Sequence, residues 1–149
     1  MGYTTEFRGG WKLNKKLDDD TFNLLVGLAS TRRVARNLEG YGVEGEFYWK
    51  DDGNCGQNHT PDVIDSNRPP KTQPSLWLQW VPTEDRMGIE WDGGEKFYSY
   101  VEWIEYLITA ILAPRGYVLN GSVEWRGEEW DDIGIIRIED NIVQTSNRV

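Results

Sequence analysis

The run LWLQWVPTEDRMGIEW, residues 76–91, decides the architecture. Two apolar and aromatic stretches, 76–81 and 87–91, flank the turn-forming spacer PTEDR, the pattern of a β-hairpin. Closing it with a four-residue loop, 83–86, pairs Trp80 with Ile89, Gln79 with Glu90, Leu78 with Trp91 and Trp77 with Asp92. Paired residues point the same way and successive residues alternate, so Leu76, Leu78, Trp80, Ile89 and Trp91 share one face. Trp77, Gln79, Val81, Glu90 and Asp92 share the other. A one-residue slip would place Glu90 and Asp92 beside Leu78 and Trp80, a cost that a core does not absorb without partners.

Upstream, Tyr3, Thr5, Phe7, Trp11 and Leu13 alternate across Gly9 and Gly10, which predicts a strand over 3–13 with a bulge or turn at the glycines. Asp18, Asp19 and Asp20 open a helix by capping and by negative charge at its N-terminus, and Phe22, Leu25, Leu28 and Ala29 share its buried face. Continuing its period carries Arg32 and Arg36 onto the same stripe. Either the helix stops near Ser30, with Arg32 and Arg33 facing the C-terminal dipole, or the arginines meet carboxylates; an anion clamp is the functional version of that second case. Residues 45–50, GEFYWK, predict a short aromatic strand. Residues 51–75 form a long polar connection stiffened by Pro61, Pro69, Pro70 and Pro74, a length at which loops tend to be lids or disordered.

Beyond Asp92-Gly93-Gly94, a helix is expected over 97–112, stopped by Pro114 and Gly116. Its apolar arc is Phe97, Val101, Ile104, Leu107, Ile108, Ile111 and Leu112, with Tyr98, Glu102, Glu105, Tyr106 and Thr109 opposite. A second hairpin spans 117–126 and 133–139 around an acidic turn at 128–132. Residues 141–145 add a short strand, and 146–149 read as a fraying tail. The order strand, helix, strand, hairpin, helix, hairpin predicts an α+β fold: a single domain, mainly antiparallel sheet with two helices on one face.

The 149 residues suit one domain, able to bury about two-thirds of its unfolded surface. No apolar run approaches the ~20 residues of a membrane span, so no membrane partner is expected. A single cysteine, and an N-terminal run without an apolar signal-type stretch, place the chain in the cytoplasm as an expectation. The net charge is −9, with seven Lys/Arg against four Asp/Glu in residues 1–38 and nine against twenty-one in 39–149. That sign argues against direct nucleic acid binding. The acidic part serves solubility, faces a basic partner protein, or mimics nucleic acid.

The mixed face of the first hairpin is the leading candidate site: Trp77, Gln79, Glu90 and Asp92, with Glu95 beside them. An aromatic plate next to an amide and carboxylates is a common way to hold a base, sugar or other ring. The acidic turn, Glu128, Glu129, Trp130, Asp131 and Asp132, is the secondary candidate. One histidine and one cysteine cannot build a Cys/His zinc site. A Cys55–His59 thiol pair lacks an orienting group, no nucleophile elbow is present, and Gly93-Gly94-Glu95-Lys96 lacks P-loop spacing. No cofactor and no metal are expected.

The stretches DVIDSNRPP (62–70), QPSLWLQWVPTED (73–85), IEWDGGEKFYSYVEWIEYLI (89–108), YVLNGSVEW (117–125) and IEDNIV (138–143) resemble a family of small uncharacterised proteins of bacteria and their phages. The resemblance covers most of 1–145 and is most specific from Trp77 to Glu105. It implies a microbial, phage-encoded cytosolic protein and assigns no residue a role. The leading expectation is therefore a non-enzymatic acidic binding protein, a phage accessory or counter-defence factor engaging a host protein or a nucleotide-like ligand. The alternatives are a small hydrolase or transferase using Glu90 and Asp92, with or without a divalent cation, and a self-associating structural protein.

Overall fold

Alternation around Phe7 and Trp11 builds the central strand of the sheet. The computed structural model describes residues 2–37, 47–49, 54–58 and 60–147. Its elements are β1 (Glu6–Leu13), α1 (Asp19–Ala29), β2 (Ala35–Arg36), β3 (Val63–Asp65), β4 (Trp80–Pro82), β5 (Gly88–Trp91), α2 (Tyr100–Leu107), β6 (Leu119–Arg126), β7 (Ile133–Glu139) and β8 (Ile142–Asn147). Six strands form an antiparallel sheet in the order β4-β5-β1-β6-β7-β8, and β2 pairs with β3 apart from it. The chain is a single α+β domain, as the order of its elements predicts.

One face of the sheet is apolar and covered. Phe7, Trp11, Trp80, Ile89, Val123 and Ile136 share a continuous core with Leu24, Leu25 and Leu28 of α1 and Trp103, Ile104 and Leu107 of α2. Five tryptophans, 11, 80, 91, 103 and 125, pack in or against this core, and each indole N–H donates: to Ile136 O, Tyr100 O, Gln79 Oε1, Ser75 Oγ and Asp132 Oδ1 respectively. Large apolar area is thus buried without an orphaned donor. The opposite face is open and carries Arg8, Lys12, Glu90, Glu124 and Arg137, as the pairing register requires.

Several expected boundaries are corrected. Gly9 and Gly10 make neither bulge nor turn, since β1 pairs with β6 without interruption from Glu6–Arg126 to Leu13–Leu119. Gly9 has φ +95° and Gly121 φ +137°, and a Cβ there would come within 2.9 Å of the Ser122 carbonyl and 3.0 Å of the Gly10 carbonyl. These glycines let paired backbones approach closely. In the first hairpin the register is Trp80–Trp91, Val81–Glu90 and Pro82–Ile89, two residues from the expected one, and 76–79 lie outside the strand. The cause is the loop: Thr83 N donates to Gly88 O and Gly88 N to Thr83 Oγ1, so its side chains close a six-residue connection, 83–88. An even shift keeps every side chain on its face.

Helix α1 begins where expected, with Asp18 Oδ1 accepting from the Thr21 amide at 2.7 Å. Helix α2 is shorter than 97–112, because Ser99 sits at φ 57° and blocks continuation toward Phe97. Past Leu107 the backbone widens over Ile108–Leu112 and tightens over Ala113–Arg115, and Gly116 at φ 80° ends it. Tyr106, expected on the polar side, is buried, its hydroxyl accepting from Gln73 Nε2 at 3.2 Å. The expected 45–50 strand falls largely outside the described residues, and 47–49 form no strand. The final strand, β8, extends to Asn147 rather than stopping at 145. No helix among the described residues is long and apolar enough to cross a membrane.

Candidate functional site

The hairpin face that carries the leading candidates divides into two parts. Gln79 is buried: its Nε2 donates to the Glu95 carbonyl at 2.8 Å, and its Oε1 accepts from Trp91 Nε1 at 3.2 Å. Asp92 Oδ1 accepts from the Gly94 amide at 2.7 Å, and partial burial pushes its carboxyl above the usual value against that bond. Gln79 and Asp92 therefore lock the turn at residues 92–95, with the Glu95 side chain exposed, while Trp77, ahead of β4, is half-buried. Glu90 stands apart on the open face, paired with Gly10 and Val81, and lines a groove of about 490 Å³ with Lys12, Thr83 and Asp85. Of the five, the structure brings Gln79 and Asp92 together at the turn with the Glu95 backbone and sets Glu90 apart in the groove.

Gln79→Leu tests this role. Loss of the amide leaves the Trp91 N–H and the Glu95 carbonyl without their partner, and a buried group so orphaned costs ~1–3 kcal/mol. Urea unfolding should show a drop of that size; an unchanged midpoint would mean that the amide does not brace the turn.

The acidic turn is built differently. Gly127 N donates to Asp132 O at 2.8 Å and Asp132 N to Glu129 O at 3.1 Å, which closes the connection between β6 and β7. The Asp132 carboxylate accepts from Trp125 Nε1 at 2.9 Å and from the Tyr3 hydroxyl at 2.7 Å, while the Glu129 amide donates to that same hydroxyl at 3.0 Å. The Glu129 amide favours the Tyr3 phenolate, but burial and the Asp132 carboxylate outweigh it and raise the pKa above the ordinary 10.0. Glu128 Oε2 accepts from the Thr4 amide at 2.6 Å. With Asp132 and Glu128 engaged in tying down the N-terminal segment, Glu129, Trp130 and Asp131 are left at the tip. Trp130 is 79% exposed, the most exposed large apolar side chain among the described residues.

The arginines after α1 hold the polar connection. Arg36 Nη1 pairs with Asp62 Oδ2 at 2.9 Å, with both side chains almost fully buried, and its Nη2 donates to the Gly56 carbonyl. Arg32 Nε reaches the Ser66 carbonyl and Arg33 Nε the Gln73 side chain. Burial lowers the Arg33 pKa to about 10, against a favourable contribution from Tyr106. Main-chain bonds from Arg32 to Cys55, Arg33 to Leu76, Ala35 to Arg68 and Asn37 to Asp62 add to this. Both sequence readings hold in part: the helix stops at Ala29, and an arginine meets a buried carboxylate that belongs to the chain itself. Asp62 was not visible as that partner, because it lies 26 residues away in a polar run.

Among the described residues no group of three or more His, Cys, Asp or Glu is placed to hold a metal ion. Cys55 is an exposed free thiol. Compared with protein-family models, curated proteins and solved structures, the chain matches none.

Proposed function

We propose that this chain is a non-enzymatic binding protein that engages a basic partner protein through the Trp130 tip. The observation that carries the reading is a tryptophan exposed on a turn that backbone hydrogen bonds between Gly127, Glu129 and Asp132 close, with the exposed side chains of Glu129 and Asp131 on either side. Tryptophan is enriched at binding hot spots, a pre-ordered anchor avoids part of the entropic cost of docking, and flanking carboxylates steer a Lys/Arg-rimmed pocket toward it. The partner is accordingly a protein surface with an apolar pocket and a positive rim. The rival nucleotide-like ligand has less support, since the Gln79 amide that would read it is engaged with Trp91 and Glu95. The sequence resemblance implies a microbial, phage-encoded setting; an accessory or counter-defence role with a host protein as partner is our own extension of it.

Trp130→Ala should leave the unfolding free energy within about 0.5 kcal/mol of wild type. It should weaken partner binding by ~2 kcal/mol or more, about thirtyfold. Affinity capture from the source cell with wild type, Trp130→Ala and a Glu129→Lys/Asp131→Lys variant reads this. Partners held equally by all three forms would remove the Trp130 tip from the interface.

A further inference from the structure

We infer that the free edge of β8 pairs antiparallel with β8 of a second copy of the chain, about a two-fold axis near Gln144. Among the described residues the sheet has two edges, β4 and β8. The β4 edge is three residues long and ends in Pro82, both of which discourage further pairing. The β8 edge runs six residues, Ile142–Asn147, with neither proline nor charge. Lysine, proline and bulges are how natural edges are protected, and this one has none of them.

The groups left open follow from the turn before β8. Asp140 and Asn141 have φ 48° and 68°, the two-residue turn whose closing pair, here Glu139 and Ile142, exchanges both hydrogen bonds. Bonding alternates along an antiparallel pair, so Ile142, Gln144 and Ser146 face β7, while Val143, Thr145 and Asn147 point their N–H and C=O groups outward. The turn is held in place from β6, with Asn120 Oδ1 accepting from the Asp140 amide and Asn141 Oδ1 from the Leu119 amide. The edge is therefore an ordered template.

Charge selects the occupant. A chain of net charge −9 opposes most contacts with its own copies. A neutral strand brings no like charges face to face. Along Ile142–Asn147 antiparallel self-pairing sets no charged side chain opposite another. Ile142, 63% exposed, would then meet Ser146 of the second copy, in the row that continues to Ile135. With β4 closed to further pairing, this contact completes itself as a dimer and does not propagate.

The contact is small for a stable interface, so the dimer is weak and concentration-dependent. Sedimentation of the full chain from micromolar to millimolar concentration should show the average mass rising from 17.3 kDa toward twice that value. Thr145→Pro removes one outward N–H without touching the β7 ladder, and Gln144→Lys sets two cations against each other at the axis. Each should weaken association about tenfold or more, with far-UV circular dichroism unchanged for Gln144→Lys even if the proline variant unfolds. Trp130→Ala should associate like wild type, which separates this contact from the proposed partner site. A chain that stays monomeric throughout, or a folded Gln144→Lys variant that associates like wild type, overturns the inference.

Discussion

Trp80→Ala is expected to lower the unfolding free energy by about 3–5 kcal/mol, the range for truncating a large buried aromatic. Trp80 is fully buried and meets Phe7, Trp11 and Phe97 edge-on, with ring centroids 4.9, 4.7 and 5.1 Å away. Its Nε1 donates at 2.8 Å to the Tyr100 carbonyl at the start of α2. The substitution thus opens a cavity between hairpin, central strand and helix, removes three aromatic contacts and orphans an acceptor. Domains of this kind have about 5–15 kcal/mol in total, so the variant should unfold at much lower urea than wild type. Trp80→Phe, which keeps most of the apolar area and loses the N–H, should fall between the two. A loss below ~1 kcal/mol for the alanine variant would show that the aromatic cluster is not the centre of the core.

Asp62→Ala should be nearly as damaging, at about 3 kcal/mol, since removing one partner of a buried pair strands the other. The Arg36 and Asp62 side chains are 4% and 6% exposed, so solvent does little to screen the guanidinium left behind. Replacing both, as Arg36→Met with Asp62→Leu, should cost less than the single change. The same pair sets an acid dependence. Burial opposes the charge on Asp62, but hydrogen bonds from Thr60 and Arg36 outweigh it and hold the carboxyl below its ordinary 3.8. A carboxylate depressed in the folded state contributes fully above its unfolded pKa and loses that contribution as pH falls through the folded value. Wild-type stability should therefore drop as pH falls below the ordinary 3.8 toward the lower folded value, and the Asp62→Ala profile should be flatter over the same range. Parallel profiles would assign the acid response to other carboxyls, of which Asp18 and Asp85 are also lowered, chiefly by hydrogen bonds from Thr21 and Thr83.

The candidate sites were legible to different depths. Trp130 in its acidic turn could be named from the chain, because a tryptophan between carboxylates at a hairpin tip has little within local reach to cover it. That Asp132 and Glu128 would hold the N-terminal segment was hidden, since their partners Tyr3 and Thr4 lie more than a hundred residues away. For Gln79 the sequence suggested a strand position open to a ligand, and the structure places it ahead of β4 and buries it. A polar side chain is exposed only if nothing folds back over it, and here the 92–95 turn does so.

What the residues by themselves determined is whatever has a local period or a local cause. These are the α+β class with its two helices and two hairpins, the capped start of α1 at Asp18, and the burial of Leu78, Trp80 and Ile89 in the first hairpin. What only the tertiary structure decided is which neighbour each group found. The hairpin register moved by two because Thr83 closed a longer loop. The close approach of β1 and β6 accounts for Gly9 and Gly121, and Arg36 found Asp62 across the polar connection. Alternation is a property of one strand and survives an even shift. Hydrogen-bond and ion partners are set by chain segments far apart in sequence, where no local pattern records the choice.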